Sequence, residues 1–190
     1  MKALMIMGSP RRKMNSDILL DRVIEGLAIH GAEVEKIYVK DLKIHPCTAC
    51  DYCGRTGQCC FQDDMLKLYT AFDKADIIVI ASPLYFNSVS SQIKTMIDRC
   101  QMFWSSKYTL GKSSIEREKK RKGAFICTAG SKQKDHGFIG AEVVMDLFFK
   151  SINTDYQYRL FVDDTDNNFV NARAEIMEKA YRIGEMLVNK

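Results

Sequence analysis

The chain contains little proline and histidine and has no long apolar run. Its 190 residues include three prolines, three histidines and one tryptophan. No apolar stretch approaches the roughly 18–20 residues of a membrane-spanning helix, and the short apolar start at residues 1–7 lacks the cleavage-site context of a signal peptide. We therefore expect a cytoplasmic protein with no membrane partner. Its composition, 46% hydrophobic and 27% charged, excludes a disordered or collagen-like chain.

The positive charge is concentrated in one stretch. The formal net charge is +4, and residues 112–122 contain six basic and two acidic side chains, which accounts for all of it. The rest of the chain is neutral overall, so we expect no nucleic-acid-binding face. We interpret residues 105–122 as a solvated basic insertion within a single domain that spans residues 1–190. The alternative is a patch that attracts an acidic partner.

Short apolar runs alternate with amphipathic segments along the whole chain. Five runs have the length and composition of strands, at residues 2–7, 34–39, 76–81, 123–128 and 158–162. The segments between them repeat apolar residues at helical spacing. This alternation predicts an α/β fold of three layers, in which helices cover both faces of a doubly wound parallel sheet. Five strands favour the flavodoxin-like order 2-1-3-4-5 over the six-stranded Rossmann order.

Sheets of this kind bind ligands beside the carboxyl ends of their strands, which directs attention to three loops. The first loop, residues 8–16, lacks the endings of a P-loop and of the Gly-x-Gly-x-x-Gly motif. It combines a tight turn, hydroxyl and amide donors and the start of a helix, which together suit a terminal phosphate. An ordinary loop leading into a capped helix is the alternative interpretation.

The other two loops follow the third and fourth strands. Tyr85 and Phe86 lie in a turn that begins at Pro83, where they either form flat walls for a planar ring system or cap the core. Residues 128–131 are small, so a ligand can come close to the backbone there. With the first loop, these are the places where a bound ligand is expected in a sheet of this kind.

Five of the seven cysteines lie within fourteen residues, at Cys47, Cys50, Cys53, Cys59 and Cys60. The odd total and the dense spacing make a poor disulfide framework and favour metal or redox chemistry. The spacing of the first four is closer to that of cubane iron–sulfur clusters than to zinc ribbons, which separate their cysteine pairs by ~15–20 residues. Small half-buried structural thiols and a redox-sensing thiol pair are the alternatives.

Taken in order, these motifs resemble the NADPH-dependent FMN reductase family. The resemblance rests on Gly8-Ser9-Pro10-Arg11 with Asn15-Ser16, on Ser82-Pro83-Leu84-Tyr85-Phe86, and on Lys94 with Asp98-Arg99. The cysteine run followed by Asp63-Asp64-Met65 resembles the iron–sulfur flavoprotein branch of that family. The match extends to about residue 131, and the last third is similar only in architecture. A departure is the lack of Pro or Gly between the first three cysteines.

The resemblance implies a specific set of site residues. Ser9, Arg11, Asn15 and Ser16 would hold the FMN phosphate; Pro83, Leu84, Tyr85, Phe86 and Asn87 would line the isoalloxazine; Thr128, Gly130 and Ser131 would close its other side. Cys47, Cys50, Cys53 and Cys59 would bind a [4Fe-4S] cluster, with Cys60 as a neighbour that could substitute. The family usually forms dimers or tetramers, so we also expect a homodimer or homotetramer.

The expected function is that of an FMN-dependent NAD(P)H oxidoreductase. It would pass electrons from a nicotinamide or a carrier, through bound FMN, to a small acceptor such as a quinone or free flavin. The flavin does the redox chemistry, so no side chain is assigned as catalytic. The alternative is a non-catalytic iron–sulfur flavoprotein that exchanges electrons with a ferredoxin-like carrier. A third possibility is a module that binds another nucleotide and holds zinc on its cysteines.

Overall fold

A computed structural model describes residues 1–189 of the chain. Its sheet has five strands, all paired in parallel in the order β2-β1-β3-β4-β5, which confirms the predicted flavodoxin-like topology. The strands are β1 (Lys2–Met7), β2 (Glu33–Tyr38), β3 (Ile77–Pro83), β4 (Arg121–Thr128) and β5 (Thr154–Val162).

Helices cover both faces of the sheet, as the alternating pattern predicts. They are α1 (Asn15–Ala28), α2 (Tyr52–Thr56), α3 (Met65–Lys74), α4 (Ser91–Arg99), α5 (Gln101–Tyr108), α6 (Ile139–Ser151) and α7 (Ala174–Val188). One hydrophobic core lies between the sheet and α1 and α7, and a second lies between the sheet and α3 to α6. No helix formed by residues 1–189 is long and apolar enough to cross a membrane.

The central strands are apolar because both of their faces are buried. In β1, Leu4 and Ile6 enter one core, and Met5 and Met7 enter the other. All seven residues of β3 are buried. Burial on both faces is the environment in which a continuous apolar run, rather than an alternating one, forms a parallel strand. The carboxyl ends of these strands are therefore held in place by packing on both faces of the sheet.

Several element boundaries differ from the predicted ones. The strand β5 begins at Thr154, four residues before the apolar run, because it is an edge strand whose outer residues can remain polar. The helix after β3 is divided at Cys100, where a short-range hydrogen bond from Phe103 N to Cys100 O (2.9 Å) tightens the turn. The short helix α2, within the cysteine-rich segment 44–62, carries no sequence signal that predicts it.

The basic insertion is shorter than predicted, because α5 extends through Tyr108 and β4 begins at Arg121. Arg121 is not solvated. It is 1% exposed and donates to the carbonyl oxygens of Phe72 (3.1 Å) and Asp73 (2.8 Å), at the end of α3. A cation at a helix C-terminus satisfies carbonyls that lack helical partners. The solvated interpretation thus holds for the exposed residues Lys112, Arg117 and Lys120, but is wrong for Arg121.

Candidate functional site

The first and third loops are hydrogen-bonded to each other at the carboxyl ends of β1 and β3. Gly8 N donates to Ala81 O at 2.7 Å, and Ser90 Oγ donates to Gly8 O at 2.7 Å. A Cβ atom added to Gly8 would lie 2.1 Å from Ile93 Cγ1. Only glycine therefore allows α4 to approach the end of β1 this closely, and this contact fixes where the first loop begins.

Thr128 joins all three predicted loops. Its Oγ1 lies 2.6 Å from Ser16 Oγ of the first loop, and its carbonyl oxygen accepts a hydrogen bond from Leu84 N of the third loop at 2.8 Å. Both Thr128 and Ser16 are buried. The three loops singled out from the sequence thus form one connected surface at the carboxyl edge of the sheet, with Thr128 at its centre.

The predicted phosphate residues lie together, but they differ in how freely they can meet a ligand. Ser9 is buried and its Oγ accepts from Arg11 N at 3.1 Å, while the Arg11 side chain is exposed. The side chain of Asn15 already forms hydrogen bonds within the protein, since its Oδ1 accepts from Val170 N at 3.1 Å and its Nδ2 donates to Thr165 O at 3.4 Å. Asn15 therefore clamps the loop to the segment after β5.

An acidic side chain in the first turn of α1 is neutralised within the protein. Asp17 is buried, accepts from Lys13 N at 2.7 Å and pairs with Lys36 Nζ at 2.6 Å. Burial lowers the pKa of Lys36, but its contacts with Asp17, Asp21 and Tyr38 outweigh that effect and raise the pKa above its ordinary value. The carboxylate is thus matched by a firmly protonated lysine, and the first turn remains compatible with an anionic ligand.

The aromatic turn, residues 85–88, projects from the protein. Tyr85 N donates to Ser88 O (2.9 Å) and Ser88 N donates to Tyr85 O (3.0 Å). The two residues between them, Phe86 and Asn87, have φ values of 49° and 56°, the left-handed pair of a tight hairpin turn. Phe86 is 106% exposed, so the alternative in which it caps the core is wrong. Its ring is free to contact a ligand or a second chain.

The other two residues predicted to contact the ring on this loop are largely buried in contacts within the protein. Pro83 is the buried last residue of β3 and pairs with Thr128 in the sheet register. Leu84 is half-buried and packs against the core beneath α3 to α6. Of the five residues predicted here, Tyr85, Phe86 and Asn87 are exposed at the loop's tip.

The segment after β5 contacts the loop after β4, and the sequence does not predict these contacts. Thr165 Oγ1 donates to Ala129 O at 3.0 Å, and Asp166 N donates to Gly130 O at 3.0 Å. A Cβ atom on Gly130 would lie 2.3 Å from Asp166 Oδ2. The small residues after β4 do indicate a close approach to the backbone, but the approaching group is this protein segment. Ser131 remains exposed beside it.

A cavity of about 600 Å³ lies beside the cysteine segment, and all five clustered cysteines line it together with residues of α4, α5 and α6. The helical lining comes from residues 97–105 and 147–151. None of the residues that line the cavity belongs to the three loops, at residues 8–16, 82–90 and 128–131. Within one chain, the cysteine cavity and the three-loop surface are therefore different places.

The thiols around this cavity are not equivalent. Cys50 Sγ and Cys60 Sγ lie 3.4 Å apart and both residues are exposed, whereas Cys53 and Cys59 pack partly against the core. Hydrogen bonds, first from the Tyr52 backbone and then from Cys60, lower the pKa of Cys50, and the contact with Cys50 raises the pKa of Cys60. The described residues contain no group of three His, Cys, Asp or Glu side chains placed to bind one metal ion. The predicted [4Fe-4S] site is thus not supported by the thiol positions.

Arg99 adds a buried, unpaired donor to the same cavity. Its Nη1 donates to Asp63 Oδ2 at 2.6 Å and to His45 O at 2.7 Å, and its guanidinium lies 4.9 Å from the Phe61 ring centroid. Its Nε is buried and has no hydrogen-bond partner among residues 1–189, although Arg99 lines the cavity. An orphaned donor on a cation, together with several thiols, is donor chemistry that fits an anionic, sulfur-rich group.

The two remaining cysteines are core residues, as predicted. Cys100 and Cys127 are 2% and 0% exposed. Burial raises the pKa of Cys127 to about 12 and that of Cys100 even further above the ordinary value for a thiol. Both therefore remain protonated and unreactive at neutral pH.

The model of the NADPH-dependent FMN reductase family matches residues 1–148. The chain belongs to this family. An iron-sulfur flavoprotein of Archaeoglobus fulgidus is 41% identical over 99 residues, which are 52% of this chain and 45% of that protein. That name agrees with the branch predicted from the cysteine run. The match spans only about half the length of this and other similar relatives.

Solved structures of low sequence identity share the fold of this family member. An NAD(P)H:quinone oxidoreductase from Methanothermobacter marburgensis has a TM-score of 0.77 at 17% identity, covering 100% of this chain and 96% of that one. An FMN-dependent NADH-azoreductase from Bacillus anthracis, solved in complex with FMN, has a TM-score of 0.75 at 16% identity, covering 99% of each chain. These likenesses establish the architecture alone.

Proposed function

We propose that the protein is an FMN-dependent NAD(P)H oxidoreductase that passes electrons to a small acceptor such as a quinone or free flavin. Membership of the FMN reductase family supports this proposal. The observation that carries it is the connection of three loops through Thr128, which brings the first-loop donors and the aromatic turn to one edge of the sheet. This edge is where doubly wound folds hold their ligands.

The residues of the three-loop surface fit FMN in their chemistry. Ser9, Ser16 and the first turn of α1 offer hydroxyl and amide donors for the phosphate, and the exposed Arg11 adds a positive charge. The aromatic turn offers flat apolar surface for the ring, with Thr128, Gly130 and Ser131 facing the same edge from β4. When bound, FMN supplies the redox chemistry itself. The protein's part is to bind it, orient it and limit the access of water.

The test is a spectrum followed by steady-state turnover. We expect the purified protein to carry FMN in about one-to-one ratio and to oxidise NADPH or NADH when a quinone or free flavin is present. A protein that binds FMN but shows no turnover with either nicotinamide would contradict the oxidoreductase proposal. A colourless protein that cannot be reconstituted with FMN would contradict the assignment of the site and favour the zinc-binding module.

A second candidate is an iron–sulfur flavoprotein that serves as an electron carrier. The thiols described are not gathered around one metal position, but their number beside the orphaned Arg99 Nε favours this candidate, and so do the names of the relatives. Cys47, Cys50, Cys53 and Cys59 would hold the cluster, which would supply single-electron chemistry toward a ferredoxin-like partner. Purification without oxygen distinguishes the candidates, because a cubane cluster requires about four irons per chain. An iron-free anaerobic sample would rule the carrier out.

We further propose a homodimer or homotetramer located in the cytoplasm. Ile139, Val143 and Leu147 form a stripe along α6 and are 52%, 54% and 51% exposed, and Trp104 and Tyr108 of α5 are exposed as well. An apolar stripe of this kind is typical of a surface that another chain covers, and a second copy is the occupant we propose. Seven free thiols support a reducing compartment. Light scattering of Val143→Asp should show smaller particles than the wild type.

A further inference from the structure

Cys60 lies outside the four-cysteine spacing, yet its sulfur is in contact with a second thiol. Its Sγ lies 3.4 Å from Cys50 Sγ, and both residues are exposed. The other clustered thiols have different surroundings: Cys53 Sγ donates to Ser105 Oγ at 3.7 Å, and Cys59 packs against the core. Among the five clustered cysteines, Cys50 and Cys60 are thus the pair whose sulfurs are in contact. Cys60 is also the cysteine that lies outside the four-cysteine spacing.

We propose that Cys50 and Cys60 are a thiol–disulfide exchange site that reacts with low-molecular-weight disulfides. The thiolate of one cysteine attacks a sulfur of the small disulfide, forming a mixed disulfide and releasing one small thiol. The second cysteine then attacks the mixed disulfide, forming the Cys50–Cys60 bond and releasing the second small thiol. Two protein thiols are oxidised, one small disulfide is reduced to two thiols, and the two protein protons leave with those thiols.

The geometry of the segment allows this bond to form locally. The sulfurs must approach from 3.4 Å to the roughly 2.05 Å of a disulfide, and exposed side chains can make this change by rotating. The ends of the segment are held in place, because His45 N donates to Asp63 Oδ2 at 2.9 Å and Arg99 contacts both residues. Closing the bond would therefore leave the sheet and the three-loop surface undisturbed.

The bond would also change what the cysteine cavity can bind. Cys50 belongs to the four-thiolate set of the second candidate function, so a disulfide to Cys60 and a cluster on that set exclude each other. Exposure to a small disulfide would then block cluster assembly, and a reducing thiol would restore it. The exchange itself depends on the two sulfurs alone and does not rest on the proposed oxidoreductase activity.

Peptide mapping of the full-length, FMN-loaded protein tests the proposal. The protein is purified in air, its iron content is shown to be negligible, and it is treated with oxidised glutathione and then alkylated. Trypsin cleaves after Lys43, Arg55 and Lys67, so the bond would link peptide 44–55 to peptide 56–67. Single Cys→Ser variants at the five positions then identify the bonded pair.

We expect the linked peptides in the wild type and in Cys47→Ser, Cys53→Ser and Cys59→Ser. In Cys50→Ser and Cys60→Ser the link should be lost, and the remaining member of the pair should keep one glutathione adduct. A link that persists in Cys60→Ser, or that disappears in Cys59→Ser while the protein remains folded, would overturn the proposal. Glutathione adducts spread over several cysteines of the wild type, without a link, would also overturn it.

Discussion

Arg99 and Asp63 form an ion pair, with Nη1 2.6 Å from Oδ2, that ties the end of α4 to the segment after the clustered cysteines. The same carboxylate accepts from the backbone amides of His45 (2.9 Å) and Met65 (3.0 Å). Asp63 therefore holds together the start of the cysteine segment, its end and the first residue of α3. The partly buried pair explains how an irregular stretch of some twenty residues keeps five thiols around one cavity.

The Asp63→Asn variant should lose about 3 kcal/mol of unfolding free energy at pH 7, the lower end of the range for breaking a buried pair. Burial raises the pKa of Asp63, but the hydrogen bonds from Arg99, His45 and Met65 outweigh it and hold the pKa below the usual 3.8. The stabilisation is thus complete above that usual value and disappears as the pH falls through the lower, folded-state pKa. Urea unfolding of both proteins between pH 7 and 3 measures it.

The matched control is Asp98→Asn, the same chemical change one residue before Arg99. Asp98 pairs with Lys94 on the exposed side of α4, where such a pair contributes about 0–1 kcal/mol. We expect its unfolding curve to lie close to that of the wild type at every pH. An Asp63→Asn variant as stable as Asp98→Asn at pH 7 would show that the Arg99 pair does not hold the segment.

The Ser16→Ala variant should bind FMN more weakly by roughly 0.5–1.5 kcal/mol, the net value of one hydrogen bond. Ser16 Oγ lies 2.6 Å from Thr128 Oγ1 and is the hydroxyl that joins the first loop to the fourth strand. Fluorescence titration of FMN into the apoprotein measures the effect, and Thr70→Ala, on the exposed side of α3, is the control. An unchanged affinity would mean that the phosphate does not lie on Ser16.

The sheet could be predicted because its signals are local. A continuous apolar run such as residues 76–81 is typical of a parallel strand that is buried on both faces. The turn residues that follow such a run mark the carboxyl edge of the sheet. The edge strand β5 was predicted too short, since the polar residues at its start carry no such run. Arg121 was misplaced for a related reason: its partners, Phe72 O and Asp73 O, are some fifty residues away in the sequence.

The site was predictable to the level of loops, but not of individual contacts. Gly8, Ser16 and Thr128 come together because parallel strands end at one edge. The hydrogen bond from Val170 N to Asn15 Oδ1 could not be predicted, because the two residues lie 155 positions apart in the sequence. Likewise, the pairing of Cys50 with Cys60 depends on the folded path of the segment, while the cysteine spacing pointed to Cys59.

The Phe86→Gly variant should separate stability from function. A phenylalanine at φ 49° is in a conformation that suits glycine, and its fully exposed ring forms no packing that would be lost. We therefore expect equal or higher stability, by up to about 1 kcal/mol, together with reduced turnover or FMN affinity. Asn153→Gly, at φ 50° before β5, is the control and should leave turnover unchanged. Unaltered turnover in Phe86→Gly would remove Phe86 from the site.

The Gly140→Ala variant should disturb the aromatic turn through the backbone. An added Cβ would lie 2.3 Å from Asn87 O, so either the turn or the start of α6 must move, at a cost of about 1–3 kcal/mol. In Gly54→Ala the nearest atom is Asp51 Oδ1 at 2.2 Å, part of a terminal carboxylate that can rotate away. Thermal unfolding and FMN titration should both distinguish the two variants. Equal unfolding temperatures and equal FMN affinities would show that the aromatic turn can move without a measurable cost.

The Arg121→Ala variant should destabilise the protein by about 3 kcal/mol or more, although Arg121 belongs to the most basic stretch of the sequence. The substitution removes the donors to the carbonyl oxygens of Phe72 and Asp73 and leaves those buried acceptors unpaired. The Asp73 carboxylate, 3.1 Å from Nη2, loses its cation as well. Arg117→Ala is the control, since Arg117 is exposed and surface substitutions usually stay within about 0.5 kcal/mol of the wild type. If both variants unfold at the same urea concentration as the wild type, the guanidinium of Arg121 does not cap α3, and its burial contributes nothing to the junction of α3 with β4.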